Sequence, residues 1–280
     1  MICSAASPPG TLRRPPDLPD APRTDTLHSP HPLPPSTMTS LTIYKRELGS
    51  YFSQPTAYAI IVIFLALSMG LAFSFGNFMR IGDASLEWSF FFWHPWIYML
   101  LAPAVGMKLW ADEQRNGTIE LLGTFPLSTW SAIVGKFLAA ATVWLAALVL
   151  TFPIVLTVNY LGDPDNGAIL SGYLGSFLVC CTFLAITMLV SACTRDQVVC
   201  LIVSVALCVT MVLCGYDDFT RELGKAVSPA VVNAVTSIGV WEHFRSLNRG
   251  LFRLQDMVWF TSAIVVCLLG TSAILSAKRA

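Results

Sequence analysis

Charge is what this chain has least of. Asp, Glu, Lys and Arg together make up 12% of its 280 residues, where soluble domains carry about 25%. The two signs balance at 17 each, so the formal net charge is zero. So little charge excludes a chain disordered throughout. The zero balance and the lack of Lys/Arg clusters disfavour a nucleic-acid partner. Other absences narrow the chemistry. There is no G-x-x-x-x-G-K-[S/T] phosphate loop, because Gly135-Lys136 lacks the upstream glycine, so any ATP chemistry must sit on another polypeptide. There is no C-x-x-C, no H-E-x-x-H and no G-x-S-x-G. Metal sites and a hydrolase elbow therefore lose their usual signatures. No cofactor, metal or catalytic residue is expected. Most of the eight cysteines lie in or beside apolar runs and read as small apolar side chains packed between helices.

What is abundant is apolar: 55% of residues are hydrophobic and the mean hydropathy is +0.64. A soluble domain of this size cannot hide that much apolar surface, which leaves an integral membrane protein. Six windows of 20 or more residues are free of charge: Leu48–Met79, Trp88–Met107, Phe137–Gly162, Asn166–Thr194, Gln197–Tyr216 and Met257–Ala277. A helix needs about 20 apolar residues to cross the hydrocarbon core. Spans are predicted near 57–76, 90–110, 134–157, 169–191, 198–214 and 257–277. The length and continuity of the runs favour helices over barrel strands, which alternate in shorter segments.

With the start of the first span in the cytoplasm, that side holds eight Lys and Arg against five acids, and the opposite side six against nine. The excess of positive charge favours both termini inside. The first 37 residues contain 10 of the 17 prolines. They cannot be helical and lack the apolar region of a secretory signal. They are expected to be a disordered extension or to precede a true start at Met38, leaving 38–280 as the membrane domain. A Pro-rich docking tail is the alternative.

The connections carry the functional expectation. In Thr39–Gln54, residues Leu41, Tyr44, Leu48, Tyr51 and Phe52 fall on one helical face and Lys45, Arg46, Glu47 and Ser50 on the other. This predicts an amphipathic helix in the membrane interface. Between the second and third spans the chain takes about 20 residues where 2–8 would do. Asn116-Gly117-Thr118 breaks one helix and caps the next, Ile119-Glu120-Leu121-Leu122 begins a short amphipathic turn, and Pro126 ends it. Such an element suits the groove of a soluble partner, with an inert surface turn as the alternative.

The run D-E-Q-R-N-G-T-I-E-L-L-G-T-F-P-L-S at Asp112–Ser128, followed by G-K-F-L at Gly135–Leu138, resembles the signature of ABC-2 type transporter permeases, approximately E-x-x-x-G-T-I-E-L-L-x-x-x-P. The run W-E-H-F-R-S-L-N-R-G-L-F-R-L-Q-D-M-V-W-F at Trp241–Phe260 resembles the gliding-motility-associated subgroup, with Leu251-Phe252 as a departure. The resemblance implies an all-α membrane fold of six spans, with an N-terminal interface helix, a cytoplasmic coupling helix and an outer re-entrant helix pair. It also implies a pair of permease subunits (homo- or heterodimeric) driven by a separate ABC ATPase, and export across a bacterial inner membrane. Matched position by position, Glu113, Gly117, Thr118, Ile119, Glu120, Leu121 and Leu122 fall on the coupling segment. Glu113 and Glu120 are expected to meet basic groups of the ATPase or Arg115, with local capping as the alternative.

The last connection, Asp217–Gln255, is too apolar for a free loop and broken too early for a span, which fits a re-entrant or interfacial helix pair. Arg245, Arg249 and Arg253 recur every four residues and are expected on one helix face, touching lipid headgroups or an outer gate. A secondary transporter is the main rival, but such proteins place charge at mid-membrane, and Lys108 and Lys136 sit at span ends where they can snorkel. A non-transporting assembly subunit is the third reading. An intramembrane hydrolase would need a buried Ser–His or carboxylate pair, and the sequence pattern offers none.

Overall fold

The computed structural model describes residues 40–75, 86–117, 129–226 and 228–278. The Pro-rich segment 1–37 and the coupling positions from Thr118 to Ser128 lie outside the described residues. Within them the regular structure is helical, with no strand.

Twelve α-helices are described, with a short 3-10 helix at Phe91–Trp93 before the third. α1 is Ser40–Ser53, α2 Pro55–Ser74, α3 His94–Gly106 and α4 Lys108–Arg115. They are followed by α5 Thr129–Val149, α6 Pro153–Leu161, α7 Asn166–Cys193 and α8 Gln197–Cys214. The last four are α9 Asp217–Ala226, α10 Pro229–Ile238, α11 Val240–Asn248 and α12 Leu254–Ala277. Five segments are long and apolar enough to cross a membrane: α2, α5 with α6, α7, α8 and α12. Expected window 90–110 is the exception, because α3 has 13 residues. Pro103 lies inside α3, has no N–H for the ladder and crowds the preceding turn. The helix stops at Gly106 and restarts as α4 one residue later. Window 134–157 is also interrupted. α5 ends at Val149 and Pro153 opens α6; between them Thr151 donates both its N–H, at 3.0 Å, and its hydroxyl, at 2.6 Å, to Leu148 O.

α7 is the axis. Its apolar window is 78% buried, against 22% for α8 and for α12, so the other helices form a wall around it. α3, α4, α5, α8, α11 and α12 all pack on α7. Small residues let them close in: a side chain at Gly172 would meet the Phe91 ring at 2.6 Å. The outward faces carry Val62, Leu156, Ile202 and Val266 in the open, the pattern expected when lipid covers the wall. Asp165 caps the start of α7 by accepting from Gly167 N–H at 2.9 Å, and Asp196 caps α8 through Val198 N–H at 2.8 Å.

The amphipathic first helix is present but turned from its expected face. Ile43 is the buried residue of α1, with Leu48 and Tyr51 packed on the core, while Leu41 and Phe52 are exposed. The Tyr44 hydroxyl meets that of Thr142 at 3.1 Å, fixing α1 along α5. The last connection holds three helices, α9, α10 and α11, where a pair was expected.

Candidate functional site

Two groups of polar side chains stand out, one at each end of the bundle. The first lies where α1, α4 and α5 meet. Lys136 on α5 was expected to snorkel outward, yet its side chain is only 6% exposed. Its Nζ lies 2.7 Å from Glu113 Oε1 on α4 and 3.7 Å from Glu47 Oε1 on α1. It also donates to Leu109 O at 3.0 Å and sits 5.1 Å from the centre of the Trp110 ring. A charge so placed is tolerated because its donors are used. Glu113 therefore pairs within the chain with Lys136, which sequence spacing did not suggest. Burial, helped by the Glu47 carboxylate, raises the Tyr51 phenol well above its ordinary pKa and keeps it neutral beside this junction.

α4 is tied to the axis as well. Trp110 and Ala111 donate their backbone N–H groups to Ser191 Oγ, each at 3.0 Å, and that hydroxyl donates to Met107 O at 3.0 Å. Ser191 thus caps a helix start from across the bundle, satisfying N–H groups that the break after Gly106 leaves open. Gln114 Nε2 donates to Ser191 O at 3.1 Å and Ala192 O at 2.7 Å. Lys278, past the end of α12, donates to Gln114 Oε1 at 2.7 Å and Ala192 O at 2.8 Å. Gln197 at the start of α8 bonds Asp112. Asn116 closes α4, and Gly117 follows with φ +68°. That left-handed conformation suits glycine and turns the chain out of the helix. Of the expected coupling residues, Glu113 and Gly117 are thus placed; Thr118, Ile119, Glu120, Leu121 and Leu122 lie outside the described residues.

The second group is at the opposite end. Arg245 belongs to α11, but the helix ends at Asn248, Gly250 has φ +75°, and Arg253 precedes α12. The three arginines therefore do not share a helix face. The turn at Gly250 instead bends them around one cleft of 330 Å³, which Asp217, Glu242 and Ser246 also line. Arg245 Nη1 bonds Asp217 Oδ2 at 2.7 Å, and Arg249 Nε bonds Glu87 Oε1 at 3.1 Å. Behind the cleft His243 Nδ1 lies 2.7 Å from Asp256 Oδ1, with both side chains nearly buried. The His243 ring stacks on Trp259 at 4.6 Å, which pins α11 to α12.

Between the two ends lies a buried polar contact that the sequence pattern did not offer. His94 Nδ1 lies 2.7 Å from Ser176 Oγ, and the Tyr98 hydroxyl 3.0 Å from the same oxygen. His94 is fully buried against Phe64, Phe90 and Phe91. A Ser–His pair so enclosed gives no substrate a path to it, and it acts as a polar clamp between α3 and α7. The signal was faint: two residues 82 positions apart that share no motif.

The family model described as ABC-2 family transporter protein matches residues 95–225. The match runs from the start of α3 into α9 and includes the whole connection after α4. The motif at Trp241–Phe260 lies beyond it, so the subgroup resemblance gains no support. No curated protein matches the chain. Over residues 95–225 the chain is similar to ABC-2 family transporter proteins, and with its series of membrane-length apolar helices it is a multi-pass membrane protein, a transmembrane component of transport of the permease type.

Proposed function

We propose that the chain is the permease subunit of an ATP-driven ABC-2 type exporter, and that a separate ATPase docks on the 111–128 connection. Two permease subunits and two ATPase subunits would form the working unit in a bacterial inner membrane. Both chain ends would lie in the cytoplasm, and α3 with α4 would provide the sixth crossing. α4 enters the docking connection, and the observation that carries the reading is how that helix is bound. Through Lys136 and Glu113 it is joined to α5, through Glu47 to α1, and through Ser191 and Gln114 to α7. A push on the connection would therefore reach three helices through charged or hydrogen-bonded contacts, with little side-chain slack. ATP closure in a partner can do mechanical work on a permease only through such a stiff link. Glu120, Leu121 and Leu122 would supply the docking face, one acid beside two apolar anchors.

The test is co-purification with a phosphate-loop ATPase from native membranes. Leu121→Asp together with Leu122→Asp should lose the ATPase while the permease still folds and inserts. Arg253→Ala, at the far end, should retain it. Loss in both variants, or in neither, would count against docking at this connection.

A further inference from the structure

The arginine cleft has features that an ordinary surface cluster lacks. Arg245 and Arg249 are each held by a carboxylate, which orients them. A guanidinium has five N–H donors, so both keep donors to offer. Arg253 makes no ion pair among the described residues. Arg245 Nε and Ser246 Oγ are buried there without a hydrogen-bond partner, although both residues line the cleft. Buried donors left open are costly, and the side chains that carry them stand in the wall of the cleft. Three arginines against Asp217, Glu242 and the Glu87 that holds Arg249 leave the site without excess charge. A site so balanced takes the single negative charge of a phosphodiester more readily than the double charge of a phosphomonoester.

The location selects the source of that phosphodiester. The cleft is reached from the end of α8, at Gly215 and Asp217, and from the start of α12, at Arg253. Both helices are of membrane length, so their shared end lies at headgroup depth. Beside the arginines Leu251, Phe252 and Leu254 are 50%, 59% and 83% exposed. A soluble phosphodiester has no use for an apolar rim, whereas acyl chains do.

We propose that this cleft binds the phosphodiester headgroup of a membrane phospholipid, with Arg245, Arg249, Arg253 and Ser246 as donors and the Leu251–Leu254 stretch along the acyl chains. The site lies at the end of the bundle away from the ATPase-docking connection and stands whether or not an ATPase docks there.

The test uses the full-length protein, purified in detergent and stripped of lipid, with binding read by native mass spectrometry. The probes are phosphatidylglycerol, diacylglycerol with the same chains, and glycerophosphoglycerol with the same phosphodiester. The wild type should bind phosphatidylglycerol and not diacylglycerol. Arg253→Ala, which breaks no ion pair, should raise the apparent Kd about tenfold, the equivalent of one charge-assisted hydrogen bond. Arg253→Lys should lose less, and Arg221→Ala, on exposed α9 outside the cleft, should change nothing. Equal binding by Arg253→Ala with an unchanged Tm would overturn the site. So would retention of diacylglycerol equal to that of phosphatidylglycerol. Displacement of phosphatidylglycerol by equimolar glycerophosphoglycerol would overturn the membrane source and leave a soluble phosphodiester.

Discussion

Lys136 stands between two carboxylates from different helices, with its side chain almost wholly covered. Removing one member of a buried charged group costs more than the group contributes, because the partners are left uncompensated. Lys136→Ala is therefore expected to destabilise the protein by about 3 kcal/mol, measured by thermal unfolding in detergent. Lys136→Met, which keeps most of the stem and removes the charge between Glu113 and Glu47, should lose about as much. A much smaller loss would mean that the lysine acts through its stem packing on Trp110. Ser191 carries a second residue-scale prediction. It accepts from two backbone N–H groups and donates to a third group, so Ser191→Ala should cost about 2 kcal/mol and Ser191→Thr, which keeps the hydroxyl, less. The sequence made Glu113 visible through a motif. Its partner was hidden, because Lys136 is 23 positions away and only the packing of α4 on α5 brings the two together.

At the scale of the element, apolar length was the readable property and helix continuity was not. Each charge-free window produced helix, since a run that long has no other way to satisfy its backbone in lipid. Proline in an apolar window does not by itself mark a break, because membrane helices tolerate it when neighbours satisfy the freed groups. Here the helices break after Gly106 and after Val149, and the Ser191 and Thr151 hydroxyls bond backbone groups beside those breaks. The arginine spacing misled for a related reason. Arg245, Arg249 and Arg253 fit a helix period, but Gly250 between them takes a left-handed turn and converts a face into a cleft. The joint between α11 and α12 is testable at this scale. Asp256→Ala, which strips the acceptor from buried His243, should cost about 2 kcal/mol, and Asp256→Asn less, because its amide oxygen still accepts from Nδ1. A chemical unfolding titration in mixed micelles reads both, and equal losses would mean that the carboxylate charge carries the contact.

The described residues form an apolar bundle with a polar group at each of its two ends. α1, α4 and the end of α12 meet at one of them through Lys136, Gln114 and Lys278. The described chain thus begins and finishes at the same end. The ion pairs among the described residues gather at these ends; the proposed ATPase docking belongs to one end and the proposed phosphodiester site to the other. The most direct test of the account is a crosslink from a single cysteine at Ile119, with the native cysteines replaced, in intact membranes that also contain the cell's phosphate-loop ATPases. The account predicts capture of an ATPase from position 119 and none from a control cysteine at Phe252, at the opposite end. Absence of capture at 119, or equal capture at both positions, would contradict it.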